Sequence, residues 1–243
     1  MRRTTSVTRP ASPATEAMFP RLLTSALIAG AGAGLLAALL QLIFVQPLLL
    51  QAELYETGQL THFGADGSPA GSLRFAGIDP LRDGLTVVFS MLVYCGYALI
   101  LVALMALAEM RGAGVDARRG ILWGVAGFVV AQMAPAVSLA PELPGSLAGE
   151  VEARQVWWFA CVISAAVALW LIAFGRSWPA WAAAVVLLLA PHLWGAPMPE
   201  AFGGPVPPEL AALFAARVLG VGLAVWAVLG VLAGALWNGE RDG

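Results

Sequence analysis

Six apolar stretches punctuate this chain, each close to the roughly 20 residues that a helix needs to cross a bilayer. They are Leu22–Leu50, Leu85–Ala108, Gly120–Ala140, Val156–Phe174, Pro179–Ala196 and Leu213–Trp237. Inside hydrocarbon every backbone N–H and C=O needs an internal partner, and stretches of this length satisfy that as helices. The expected fold class is therefore all-α, a polytopic membrane helix bundle with six transmembrane helices. Hydrophobic residues make up 60% of the chain, and the longest connection, Gln51–Gly84, is too polar and short to make an independent domain. The fifth stretch is short and carries Pro191 and His192 near its end. Five spans plus a re-entrant segment is thus the main rival count.

The first stretch follows an Arg-, Ser-, Thr- and Pro-rich tail, Met1–Pro20, that resembles the n-region of a signal peptide. A signal h-region runs roughly 7–15 residues, and this apolar run is far longer. The expected organisation is a disordered cytoplasmic tail over 1–20 and a single transmembrane helical domain over 21–238.

Orientation follows from the basic residues, all 13 of which are arginine. Arg2, Arg3, Arg9, Arg21, Arg111, Arg118, Arg119, Arg176 and Arg241 fall on one side of a six-span topology. Arg74, Arg82 and Arg154 fall on the other, and Arg217 begins the last helix. Basic loops stay in the cytoplasm, so both termini are expected inside a bacterial inner membrane. The opposite loops are acidic, with Glu53, Glu56, Asp66, Asp79, Asp83, Glu142, Glu150, Glu152, Glu200 and Glu209. An acidic outer mouth attracts cations; the plainer reading is a soluble periplasmic surface.

The absence of lysine excludes a GK[ST] phosphate loop and Schiff-base cofactors. With His62 and His192 the only histidines, HExxH zinc chemistry is excluded too. A membrane serine–histidine dyad would have only His192 to use, and no GxSxG elbow accompanies it. No enzymatic activity is expected. Cys95 and Cys161 fall within apolar stretches and read as packing residues.

Glycines recur at four-residue spacing at Gly30 and Gly34, Gly120 and Gly124, and Gly230 and Gly234. Small residues so spaced let helix backbones approach closely in lipid. A weak internal repeat is more informative. The first, third and fifth stretches each end in a proline, Pro47, Pro135 or Pro191, with Glu53, Glu142 or Glu200 beyond it. A proline removes one backbone N–H and frees a carbonyl a turn earlier, and such carbonyls beside carboxylates would be oxygen ligands for a cation. The plainer reading is helix termination before a loop. Three hairpins of one design would give a pseudo-threefold bundle, with the three glutamates meeting at its outer mouth.

Polar residues at membrane depth are costly and become candidates for function. Gln41 and Gln46 lie in the first stretch, Gln132 in the third and His192 in the fifth. His192 follows Pro191, which should open the helix beside its imidazole; the plainer role is an interhelical hydrogen bond. His62, in the Gln51–Gly84 loop with Glu53, Glu56 and Asp66, would hold a divalent ion only loosely. Trp157, Trp158, Trp178 and Trp181 read as interfacial belt residues.

Several runs resemble the CbtA family of predicted cobalt transporter subunits. They are Phe44-Val45-Gln46-Pro47-Leu48 with Glu53-Leu54-Tyr55-Glu56, Gly120-Ile121-Leu122-Trp123-Gly124 with Ala134-Pro135, and Pro141-Glu142-Leu143-Pro144-Gly145. The likeness continues through Ala153-Arg154-Gln155-Val156-Trp157-Trp158, Pro191-His192-Leu193 and Gly195-Ala196-Pro197. It closes with Pro208-Glu209-Leu210-Ala211 and Phe214-Ala215-Ala216-Arg217. The resemblance implies a multi-span subunit for cobalt uptake, often paired with a small single-span CbtB subunit bearing a histidine-rich end. Members frequently carry a histidine-rich first outer loop, where this chain has only His62.

Together these readings give an uptake subunit for a divalent transition-metal cation, with Co²⁺ as substrate and no cofactor. The alternative is a non-transporting membrane scaffold. The expected partners are the lipid bilayer, the metal ion and a CbtB-type subunit, with no nucleic acid. The candidate metal-handling residues are His192, Gln132, Gln46, Glu53, Glu142, Glu200 and His62.

Overall fold

The computed structural model describes residues 13–61, 77, 79–201 and 203–239. Among them are six helices and no strand. α1 runs from Pro13 to Glu56, and its α-helical parts Pro13–Leu40 and Gln46–Glu56 are joined by a π-helical turn, Gln41–Val45. α2 is Pro80–Glu109. α3 comprises Ala117–Phe128, a second π-helical turn Val129–Met133, and Ala134–Ala136. α4 is Val151–Phe174, α5 is Trp178–Trp194 and α6 is Pro208–Gly239. Each coincides with one apolar stretch. Residues 13–20, expected in the tail, instead form the first turns of α1, with Pro13 and Pro20 both accommodated; residues 1–12 lie outside the described residues.

Helix boundaries follow from local chemistry. Asp79 caps α2 by accepting hydrogen bonds from the backbone N–H groups of Leu81 and Arg82, with Pro80 in the first turn. Asp116 caps α3 through the Arg119 N–H at 2.8 Å. Gly195, at φ +96°, ends α5 in a conformation that favours glycine.

Four helices are long and apolar enough to cross a membrane, with α1 counted from Met18 and α2, α4 and α6 in full. α5 has 17 residues, about 25 Å of helix against a hydrocarbon core of about 30 Å. α3 is interrupted by its π turn.

The packing order is α2 on α1, α1 on α6, α6 on α3, α3 on α4 and α4 on α5. α1–α2 and α4–α5 are sequence-adjacent hairpins, whereas α3 takes the distant α6 as its main partner. The helices therefore do not pair as three like hairpins. The repeat survives locally in two of them. The Gln46 N–H bonds to the Gln41 carbonyl, and the Ala134 N–H bonds to the Val129 carbonyl. Each is an i→i−5 bond made one residue before a proline, Pro47 or Pro135. A proline cannot complete the regular ladder, and widening the preceding turn gives the neighbouring amides new partners. α5 stays α-helical through Pro191.

Glycine sets the closest approaches. A Cβ on Gly30 or Gly34 would run into the α2 backbone at Cys95 and Met91. Gly120 and Gly124 meet the α6 backbone at Gly230 and Trp226, and Gly234 meets the Asp116 carbonyl. The main core is continuous across these seams, from Ala26, Ala29 and Ala33 of α1 through Val102 and Met105 of α2 to Val225 and Leu229 of α6. Cys161 is buried, Cys95 partly so, and both are free.

Candidate functional site

The loops at one end of the bundle fold over the ends of α1, α3 and α5. The Leu147 N–H donates to the Gly203 carbonyl at 3.0 Å, and Gly145 sits beside the Glu56 side chain. Beneath them α4 and α6 make little direct contact among the described residues, and the space between is floored by the π turn of α3. It is a cavity of about 460 Å³, bordered by Gln132, Pro135, Trp158, Phe159, Val218 and Leu219 and rimmed by Glu142 and Arg154.

The rim is an ion pair, with Arg154 Nη2 donating to Glu142 Oε2 at 2.7 Å; both side chains keep partial access to solvent. Such a pair adds little stability at a wet surface, but it fixes a carboxylate at the opening. The floor is different. Gln132 Oε1 is buried and has no hydrogen-bond partner among the described residues. Its carboxamide lies against Gly222 of α6, where any Cβ would strike it. An unpaired buried carbonyl costs about 1–3 kcal/mol, so this position keeps a polar group that packing alone disfavours.

The remaining expected site residues are spread around this end. His192 is half-buried, with Nδ1 2.8 Å from Ser138 Oγ and its ring at the edge of Trp157, 5.9 Å between centroids. It joins α5 to the end of α3 as an interhelical hydrogen bonder. Trp157 departs from the expected belt role: it is 2% exposed, and its indole N–H donates to the Pro191 carbonyl at 2.9 Å. Gln46 donates to Asp83 Oδ1 at 2.9 Å, and the same carboxylate accepts from Arg82 Nε and the Asp79 N–H. Glu53 and Glu200 are exposed. His62 lies outside the described residues. No group of three His, Cys, Asp or Glu side chains suited to a metal ion occurs among the described residues. Glu53, Glu142 and Glu200 therefore do not assemble into a shared ligand set; Glu142 is instead held by Arg154.

The sequence profile of the family described as probable cobalt transporter subunit (CbtA) matches residues 19–238. The chain belongs to the CbtA family. The match covers all six helices apart from the first turns of α1 and the last residue of α6, so the cavity lies wholly within the CbtA region. It makes the chain a multi-pass membrane protein of a cobalt-transport family. No curated protein and no solved structure matches it.

Of the residues singled out from the sequence of this CbtA chain, Gln132 and Glu142 border one cavity, a pairing the sequence reading did not make. It missed Arg154 as the partner of Glu142 and Ser138 as the partner of His192. It also missed Gly222 as the surface against which Gln132 rests. An arginine twelve residues after a glutamate, across a loop, was the signal available for the first; the others join separate helices and leave no local pattern.

Proposed function

We propose that this chain carries divalent cobalt into a bacterial cytoplasm as a six-span subunit with both termini inside. What supports the reading most is the cavity at the acidic end, where a carboxylate stands at the rim and an unpartnered carboxamide at the floor. A cation arriving at Glu142 would meet only neutral oxygen donors beyond it, Gln132 among them. Weak neutral donors allow release as well as capture. The membrane potential supplies a driving force without nucleotide: about 2.3 kcal/mol per charge per 100 mV gives a dication ~4.6 kcal/mol, somewhat over a thousandfold accumulation.

Proteoliposomes holding the purified chain should take up Co²⁺ when the interior is made negative, and uptake should stop when the potential is collapsed. No potential-dependent uptake in vesicles with folded protein would overturn transport by the chain alone.

The lack of a three-ligand group among the described residues favours a second reading, a scaffold whose metal ligands come from another subunit. Co-reconstitution with a histidine-rich single-span CbtB-type partner separates the two. Flux only with the partner supports the scaffold reading.

Orientation is tested in intact cells with an impermeant thiol reagent. Labelling is expected for Ser68→Cys and Gly203→Cys but not for Gly114→Cys. Modification of Gly114→Cys would reverse the topology.

A further inference from the structure

The cavity stops at Gln132 and Gly222, and what lies beneath continues along the same face of α6. One helical turn further in, Trp226 fills the seam between α3 and α6. Its ring occupies the space that a Cβ on Gly127 of α3 would need, and it packs on Tyr97 and Tyr94 of α2, with ring centroids 4.8 and 6.4 Å away. Trp226 is 4% exposed, yet its indole N–H is buried without a hydrogen-bond partner among the described residues. Buried indole N–H groups ordinarily find an acceptor, so packing alone does not account for this placement. Below it the seam is shut by backbone contact, Gly120 and Gly124 against Gly230, then Asp116 against Gly234.

We propose that the α3/α6 seam is the translocation path and that Trp226 closes it in this outward-open state. The inference rests on the transport reading above and adds the residue that gates it. The π turn at Val129–Met133 lies at the level where the open half of the seam meets the closed half. In this proposal the turn is the moving part, passing to an α-helical arrangement shifted by one residue. That shift would rotate Gln132 and Pro135 relative to α6 and loosen the seat of the indole on Gly127. The ring faces of Trp226 and Tyr97 would then flank a passing cation, an arrangement that attracts positive charge.

The test reads accessibility rather than flux, so its outcome is independent of whether Co²⁺ uptake is found. In a chain with Cys95→Ala and Cys161→Ala, Val231→Cys places a thiol below Trp226, next to Gly120. A small cationic methanethiosulfonate reagent is added from the outer side of intact cells. With Trp226 present the thiol should react slowly. Trp226→Ala should raise the rate about tenfold, the effect of easing an opening equilibrium by ~1.4 kcal/mol, while Trp226→Phe should stay near the parent rate. If Trp226→Ala does not fold, Trp226→Leu carries the same comparison, because it keeps apolar bulk but loses the flat ring. An unchanged rate in a folded Trp226→Ala or Trp226→Leu protein would overturn the gate. Equal acceleration by Trp226→Phe would overturn it as well, by showing that any repacking opens the seam.

Discussion

Gly230→Val should leave little folded protein in the membrane. A Cβ at this position would lie 2.7 Å from the Gly124 Cα and closer still to the Gly120 carbonyl and the Gly124 amide. These are backbone atoms of a helix, so no rotamer change relieves the overlap. The helices must separate, and the close approach along Gly120, Gly124, Gly230 and Gly234 is lost together. Overpacking a rigid core costs about 1–3 kcal/mol where side chains can give; here about 3 kcal/mol or more is expected. For a chain of this length that corresponds to a fall in Tm of roughly 6–12 °C. Gly220→Val is the matched control, because it lies on the same helix with nothing within 4 Å of its would-be Cβ. Thermal unfolding of the two detergent-solubilised proteins decides the matter. Equal Tm values would mean that the α3/α6 seam is not the close contact described.

The helices were legible because their signal is length and apolarity, quantities a sequence displays directly. All six stretches became helices, and the spaced glycines became helix contacts as expected. Which helix each glycine faces was not legible. Gly120 and Gly230 are far apart in sequence, and nothing local marks α6 rather than α4 as the main partner of α3. The start of α1 was placed too late because Pro13 and Pro20 read as tail residues; Pro13 sits in the first helical turn, where proline is tolerated, and Pro20 lies inside the helix. Pro47 and Pro135 correctly marked irregular backbone. At Pro191 the expected opening does not occur: α5 stays α-helical through it, and the Pro191 carbonyl accepts from the Trp157 indole and the Gly195 N–H.

For the site, a polar residue inside an apolar stretch was a sound guide to Gln132, because hydrocarbon penalises such residues. The guide said nothing about partners. His192 and Gln46 carry the same sequence signature as Gln132, yet both are hydrogen-bonded across helices, to Ser138 and Asp83. Only tertiary structure separates a satisfied polar group from an unsatisfied one. Trp226 shows the converse: its sequence setting is that of an ordinary apolar residue, and the missing acceptor for its indole appears only once α2 and α3 are packed around it.

Gln132→Leu should therefore lower Co²⁺ uptake about tenfold or more while raising stability. Leucine keeps a branched end but is one methylene shorter than glutamine, so it withdraws slightly from Gly222 and adds no overlap there. The unpaired Oε1 disappears and with it part of a penalty of about 1–3 kcal/mol. A gain of ~1 kcal/mol would appear as a rise in Tm of about 2–4 °C. On the transport side, the cavity floor would lose its polar side chain, and a cation leaving the Glu142 rim would meet no side-chain oxygen donor before Trp226. The combination discriminates between roles. A residue kept for folding would lose stability and activity together, whereas one kept for passage loses activity as the protein becomes more robust. The measurement is initial Co²⁺ uptake per folded molecule in proteoliposomes, or in vesicles also containing a CbtB-type partner where the chain alone gives no flux, paired with thermal unfolding. Uptake within about twofold of wild type, whatever the Tm, would remove Gln132 from the path and leave the backbone carbonyls of the two π turns as the donors to test next.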